Sequence, residues 1–217
     1  MIRLNKLLLF LKRLCCFPNR FVQRVRNEGL FLYFQSIIIF LFLEREFLIS
    51  LSLNVPIQDI EPRMPFLIKK ASWNDLEKFR EEKYSDSEND FREWLRNGYD
   101  FIIALNGKNV VSYATARPCD QLLIAKFNDK RLEKSLVAEG YRAYTLLEYR
   151  GKRIYPALAI AVLRSLKEKG YEKVVGSVDA YNYSARIAHQ RTGYKEVALV
   201  TKLKFFGFVL RTSINKI

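Results

Sequence analysis

The stretch from residue 141 to 178 constrains the fold more than any other part of the chain. An apolar and aromatic run (141–149) ends in Arg150-Gly151-Lys152-Arg153, becomes a helical pattern (154–169) closed by Gly170, and is followed by a β-branched run (173–178). A strand, a long helix and a second strand in that order do not make a hairpin. They form a parallel pair joined by a right-handed crossover. The rest of the chain arranges itself around that unit. Phe47, Ile49, Leu51 and Leu53 alternate with Ser50 and Ser52 in a half-buried strand, and 65–70 reads as another. Ser72 with Asp75 three residues on signals a helix running to 82, and 87–96 reads as a second helix closed by Asn97-Gly98. Residues 100–105 and 110–117 form a hairpin whose loop carries Asn106-Gly107. Residues 119–138 carry an ambiguous pattern, with 122–127 a candidate strand, while 184–192 reads as a helix ended by Gly193 and 197–209 as one or two final strands. The order predicts a mixed α/β fold around a mostly antiparallel sheet.

The 217 residues, 49% of them apolar, suffice for one domain with an appendage. Cys15, Cys16 and Cys119 cannot frame a disulfide scaffold, and with one histidine they leave little for a zinc site. The expectation is a reduced, cytoplasmic chain that holds no metal. The net charge of +14 is uneven: residues 111–217 carry 20 basic against 9 acidic side chains, whereas 51–110 carry 9 against 11. A basic C-terminal half points to a polyanionic partner: a nucleotide-bearing substrate, an anionic membrane face or nucleic acid.

Residues 1–45 form a basic, amphipathic helical extension. Seven Lys or Arg precede its first acid, Glu28, and Leu4, Leu7, Leu8, Leu11 and Leu14 recur at helical spacing. The apolar run at 7–11 is short for a signal-peptide core and is broken by Lys12-Arg13, so a secretory signal is a poor reading. The run at 30–43 is too short to span a bilayer. The extension either packs on the main domain or lies on an anionic membrane surface, peripheral to the inner face. Residues 46–64 are a strand and connector, and 65–217 the main domain.

The chemistry concentrates at residues 146–158. A strand that turns directly into a helix points backbone N–H groups outward at the positive end of the helix, and Arg150, Lys152 and Arg153 add three cations there. Pro156 falls in the first helical turn, where its missing N–H costs nothing. Neither a P-loop nor the dinucleotide glycine fingerprint is present, so the turn is an anion site of another kind. Further on stands Asn182-Tyr183-Ser184-Ala185-Arg186-Ile187-Ala188-His189-Gln190-Arg191-Thr192-Gly193-Tyr194.

Together the two segments resemble the GNAT superfamily of acyl-CoA-dependent N-acetyltransferases, with R/Q-x-x-G-x-G/A at the strand–helix turn, then N-x-x-S/A and a helix ending in G-F/Y. The resemblance covers the chain from residue 65 onward. It is closest to a branch whose turn reads RGxGxYPAL and whose domain follows a basic helical extension. Arg150 matches the first position, but Arg153 and Tyr155 stand where small residues are expected. The resemblance implies that Arg150, Gly151, Lys152, Arg153, Ile154 and Tyr155 receive the diphosphate of acetyl-CoA or another acyl-CoA. It implies that the backbone at Leu146, Leu147 and Glu148 pairs with the pantetheine amides and polarises the thioester, and that Asn182 binds the pantetheine. Ser184 is counted with the cofactor-binding residues of that motif, although it reads first as a helix cap. His189 takes the position of the acid that protonates the thiolate, with Tyr183 and Tyr194 as substitutes, and Glu139 is the candidate base. The acceptor is a primary amine of a small molecule or metabolite.

Other chemistries fall away. His189 has no nucleophile elbow to serve, Cys119 reads as an inert thiol, and Trp73 and Trp94 belong to the core or the acceptor groove. The competing readings are longer-chain acyl transfer at a membrane surface and a non-catalytic adaptor whose altered turn no longer takes CoA. Nucleic acid is the weakest partner, since the cations are not interleaved with stacking aromatics. An oligomer is compatible with the sequence.

Overall fold

The computed structural model describes residues 43–79, 86–129, 132, 136–205 and 208–217. The extension expected over 1–45 lies outside them, except that Leu43 already begins a strand.

Eight strands follow the hydrogen-bonded order β2-β3-β4-β5-β6-β1-β7-β8. They are β1 (Leu43–Ser52), β2 (Leu67–Lys70), β3 (Asp100–Asn106), β4 (Asn109–Pro118), β5 (Val137–Thr145), β6 (Lys173–Asp179), β7 (Lys195–Phe205) and β8 (Phe208–Lys216). The β2–β3, β3–β4 and β4–β5 pairs are antiparallel, and β5–β6 is the expected parallel pair. Between them run α1 (Glu88–Arg96), α2 (Gln121–Phe127), α3 (Ile154–Glu168) and α4 (Tyr183–Arg191). Strand β1, read from the sequence as preceding the main domain, stands inside the sheet between β6 and β7.

The described residues fall into two compact units. The larger, Phe47–Leu199 with Lys216–Ile217, holds every residue of the candidate site. In the smaller, described for 43–46 and 200–215, Lys202 lies 3.0 Å from Glu44 and 3.2 Å from Glu46, and Lys204 also pairs with Glu44.

Alternation along β3 and β4 builds the two faces of the larger unit. Ile102, Ala104, Ala114 and Ala116 join one cluster with Leu158, Leu163 and Leu166 of α3, so small side chains in the sheet let the helix come close. Phe101, Ile103 and Tyr113 point the other way into an aromatic cluster with Phe91 and Trp94 of α1. Ring pairs there sit at centroid distances such as 5.3 Å for Phe91–Trp94, a spacing that adds to simple area burial.

Three expectations need correction. Residues 122–127 lie in helix α2, not a strand. Asp120 caps it by accepting from the Leu122 N–H at 2.8 Å, and Leu123, Ile124 and Phe127 turn inward at helical spacing while Leu122 is exposed. The helix after Ser72 is a 3-10 turn over Trp73–Lys78 within the described residues. Asp75 accepts from the Ser72 N–H (3.0 Å) and hydroxyl (2.7 Å) and from Lys69 and Lys78, so its buried carboxylate ties the turn to β2. Finally, the strand expected over 141–149 starts at Val137 and stops at Thr145. Leu147–Tyr149 form a 3-10 turn instead.

Candidate functional site

The parallel pair parts where chemistry needs room. Pairing of β5 with β6 runs through Val137↔Lys173, Ala138↔Val174 and Glu139↔Val175, although β6 continues to Asp179. At the same point β5 bulges against β4. Ala116 pairs with Gly140 and Thr115 with Arg142, leaving Tyr141 as the extra residue. Gly140 and Gly176 face each other at the parting, where a Cβ on Gly176 would stand in ordinary contact, 3.5 Å from the Gly140 carbonyl oxygen. Beyond the bulge β5 keeps its β4 partner through Thr145, so its other edge, at residues 141–145, faces the widening gap. A polar chain can pair with such an edge.

Leu146 does not contribute backbone to that edge, contrary to the expectation for 146–148. Its side chain is buried and its N–H is spent on the Val111 carbonyl at 3.0 Å, while Leu147 and Glu148 lie in the 3-10 turn.

The turn into α3 keeps the backbone shape that glycine would give. Gly151 has φ +77° and Arg153 has φ +58°, ψ +22°, so a non-glycine residue occupies the left-handed region at the helix N-cap. That conformation costs an L-residue roughly 1–2 kcal/mol, and the Arg153 side chain is exposed. The Arg150 Nε donates to the Thr145 carbonyl at 3.1 Å, which fixes the guanidinium beside the end of β5. Lys152 lies 4.8 Å over the Tyr149 ring. Ile154 and Tyr155 open the helix, where N–H groups have no carbonyl one turn back. Three cations around outward N–H groups are the donor set a diphosphate needs.

Tyr155, the second departure from the small-residue pattern, turns inward. Its hydroxyl lies 3.3 Å from both ring nitrogens of His189. The His189 and Tyr194 rings meet edge to face with centroids 5.1 Å apart. The Tyr194 hydroxyl stands at the parting of the strands, 3.8 Å from where a Cβ on Gly140 would be. Burial pushes the His189 pKa down to about 4, because an imidazolium would lose its hydration here. The ring is therefore neutral at pH 7, not the charged acid that its lone occurrence suggested. Burial also pushes both tyrosine pKa values up, so the phenols stay protonated and remain donors. Helix α4 has no fully buried side chain, and His189 itself is only partly covered at the surface while its ring is packed among apolar neighbours. The helix is pinned by Arg186, which pairs with Glu196 at 2.7 Å and stacks over Phe47 at 4.1 Å.

On the other face of β5, Glu139 pairs with Arg117 at 2.9 Å. Arg117 also covers the Tyr141 ring at 3.9 Å. Burial works against its charge, but Tyr99 and Glu139 hold its pKa above the usual value. Asn182, not Ser184, caps α4: its Oδ1 accepts from the Ala185 N–H (3.2 Å) and from the Ser184 hydroxyl (3.0 Å). The Cys119 pKa is pushed up to about 12, first by burial and then by Glu139 and Asp120, so the thiol is not a nucleophile at neutral pH. Trp94 is buried and Trp73 half exposed. Among the described residues no group of His, Cys, Asp and Glu could hold a metal, and no helix is long and apolar enough to cross a membrane.

The acetyltransferase (GNAT) family profile matches residues 68–194, more than half of the chain. The chain belongs to this family. Solved GNAT folds resemble it at low identity. An N-acetyltransferase from Staphylococcus aureus is 18% identical, with TM-score 0.51 over 71% of this chain and 98% of its own. An acetyltransferase of the GNAT family from Colwellia psychrerythraea is 10% identical, with TM-score 0.55 over 79% of this chain and 61% of its own. A protein of the same family from Novosphingobium aromaticivorans is 15% identical, with TM-score 0.50 over 73% of this chain. The chain spans 62% of that protein's length. No curated protein sequence matches significantly. Within this GNAT fold Tyr155 links the helix that follows the basic turn to His189, and Tyr194 links His189 to the parting of β5 and β6. Neither link has a signal in the sequence.

Proposed function

We propose that the protein moves an acyl group, in the first instance acetyl, from a CoA thioester to a primary amine by direct transfer. The observation that carries this is the retained left-handed turn at Gly151–Arg153, placed at the open end of the β5–β6 gap. The turn takes the diphosphate through Arg150, Lys152, Arg153 and the N–H groups that open α3. The edge of β5 that faces the gap at 141–145 takes the pantetheine amides, and its N–H groups polarise the thioester carbonyl.

In the reaction the amine nitrogen bonds to the acyl carbon, the carbon–sulfur bond breaks, nitrogen loses a proton and sulfur gains one. The amine must be neutral to attack. Glu139, two residues before the bulged Tyr141, is the candidate acceptor of its proton, directly or through water; its pairing with Arg117 competes with that role. At the sulfur, His189 acts as a neutral ring in a hydrogen-bonded pair with the Tyr155 hydroxyl. This pair delivers the proton to the thiolate and regains one from solvent. The Tyr194 hydroxyl gives a further donor in the gap. The Asn182 Oδ1 is committed to its helix, so any contact with the pantetheine falls to its amide nitrogen.

Release of free CoA thiol from acetyl-CoA, followed with a thiol reagent against a panel of primary amines, tests the reading. Amine-dependent release above the rate without protein supports it. No release with any amine, from protein that binds CoA, overturns catalysis and leaves a CoA-binding module.

A further inference from the structure

Residues 54–66, between β1 and β2, lie outside the matched family region and follow α3 from one end to the other. Near the C-terminal end of the helix Lys167 donates to the Val55 carbonyl at 3.3 Å, and one turn earlier Arg164 pairs with Asp59 at 2.5 Å. Ile57 and Ile60 pack against the core cluster to which α3 belongs. At the N-terminal end the Arg63 N–H donates 2.9 Å to the carbonyl of Lys152, inside the basic turn. Phe66 meets the Tyr149 ring edge to face, with centroids 6.1 Å apart. The segment is thus a strap, antiparallel to α3, that ends on the turn.

Two consequences follow from the contact at Lys152. A turn that binds an anion through its N–H groups must keep its carbonyls occupied elsewhere, and Arg63 engages the one between the two left-handed residues. The same contact holds the Arg63 backbone at Lys152, within the Arg150–Arg153 turn. The Arg63 side chain is exposed there.

We infer that Arg63 is a fourth cationic residue of the acyl-CoA site: its backbone N–H fixes the turn and its guanidinium binds the phosphates of CoA. This rests on the acyl-CoA reading above. The test is calorimetric titration of CoA into the full chain and into Arg63→Ala and Arg63→Glu variants, at low and at high salt. Both replacements keep the backbone N–H and change an exposed side chain, so the fold is retained. Arg96→Glu, an exposed charge reversal on α1 across the sheet, controls for the loss of net positive charge. We expect Arg63→Ala to raise the dissociation constant about threefold and Arg63→Glu at least tenfold, with both ratios shrinking at high salt. Arg96→Glu should leave affinity within twofold. Wild-type binding with an unchanged constant in Arg63→Glu would overturn the inference while leaving the acyl-CoA reading intact. So would an equal loss in Arg96→Glu. If the wild-type chain binds no CoA, the acyl-CoA reading fails and this inference falls with it.

Discussion

Arg153 and His189 are the residues at which composition and structure pull in different directions. Arg153 holds a left-handed conformation that glycine adopts without strain. Arg153→Gly should therefore stabilise the fold by about 0.5–1 kcal/mol in urea unfolding, while weakening CoA binding through the lost charge. Stability gained without any loss of affinity would remove Arg153 from the site. His189 carries the opposite lesson. A single histidine at the position of an acid reads from sequence as a group that gains and loses a proton near neutrality, but burial keeps it neutral. Because its folded pKa of about 4 lies below the ordinary 6.5, the unfolded chain takes up a proton first as pH falls. Its neutral burial stabilises fully above pH 6.5, and that contribution drains away between pH 6.5 and 4, by up to about 3 kcal/mol. Unfolding free energy compared between wild type and His189→Gln across that range should show the wild type losing more on acidification. Parallel curves would mean that the ring is solvated. Neither behaviour is legible in the sequence, since both depend on what surrounds the side chain.

At the scale of elements, the hairpin, α1, α3, β6 and α4 were legible because each has strong periodicity bounded by caps and turn residues. The misread pieces lacked that. Residues 122–127 form a short apolar run that strand and helix share, and the deciding signal was the Asp120 cap. The early end of β5 depends on the Leu146 N–H finding the Val111 carbonyl, a long-range contact that no local pattern announces. The place of β1 inside the sheet is likewise a matter of pairing, not of its own residues. Helix α4 shows how an element with little apolar surface is held. Arg186→Ala removes the pair with Glu196 and the stacking on Phe47, and should cost about 1–3 kcal/mol because it strands a partly buried carboxylate. It should also lower turnover more than CoA affinity, since it loosens the helix that carries His189. Unchanged turnover in a folded variant would show that His189 does not depend on this anchor.

For the molecule as a whole, the sequence made family membership readable through two short segments, and the structure shows where their departures go. The turn preserves its backbone path with arginine in place of glycine, and Tyr155 turns away from the turn toward His189. The central claim is thus that the strained, strap-held turn is a working CoA site. Titration calorimetry of CoA into the wild-type chain and into Arg150→Glu measures this most directly. Saturable binding that weakens at least tenfold in Arg150→Glu, in protein of unchanged stability, is the result predicted here. Absence of saturable binding, or equal affinity in the variant, would contradict it.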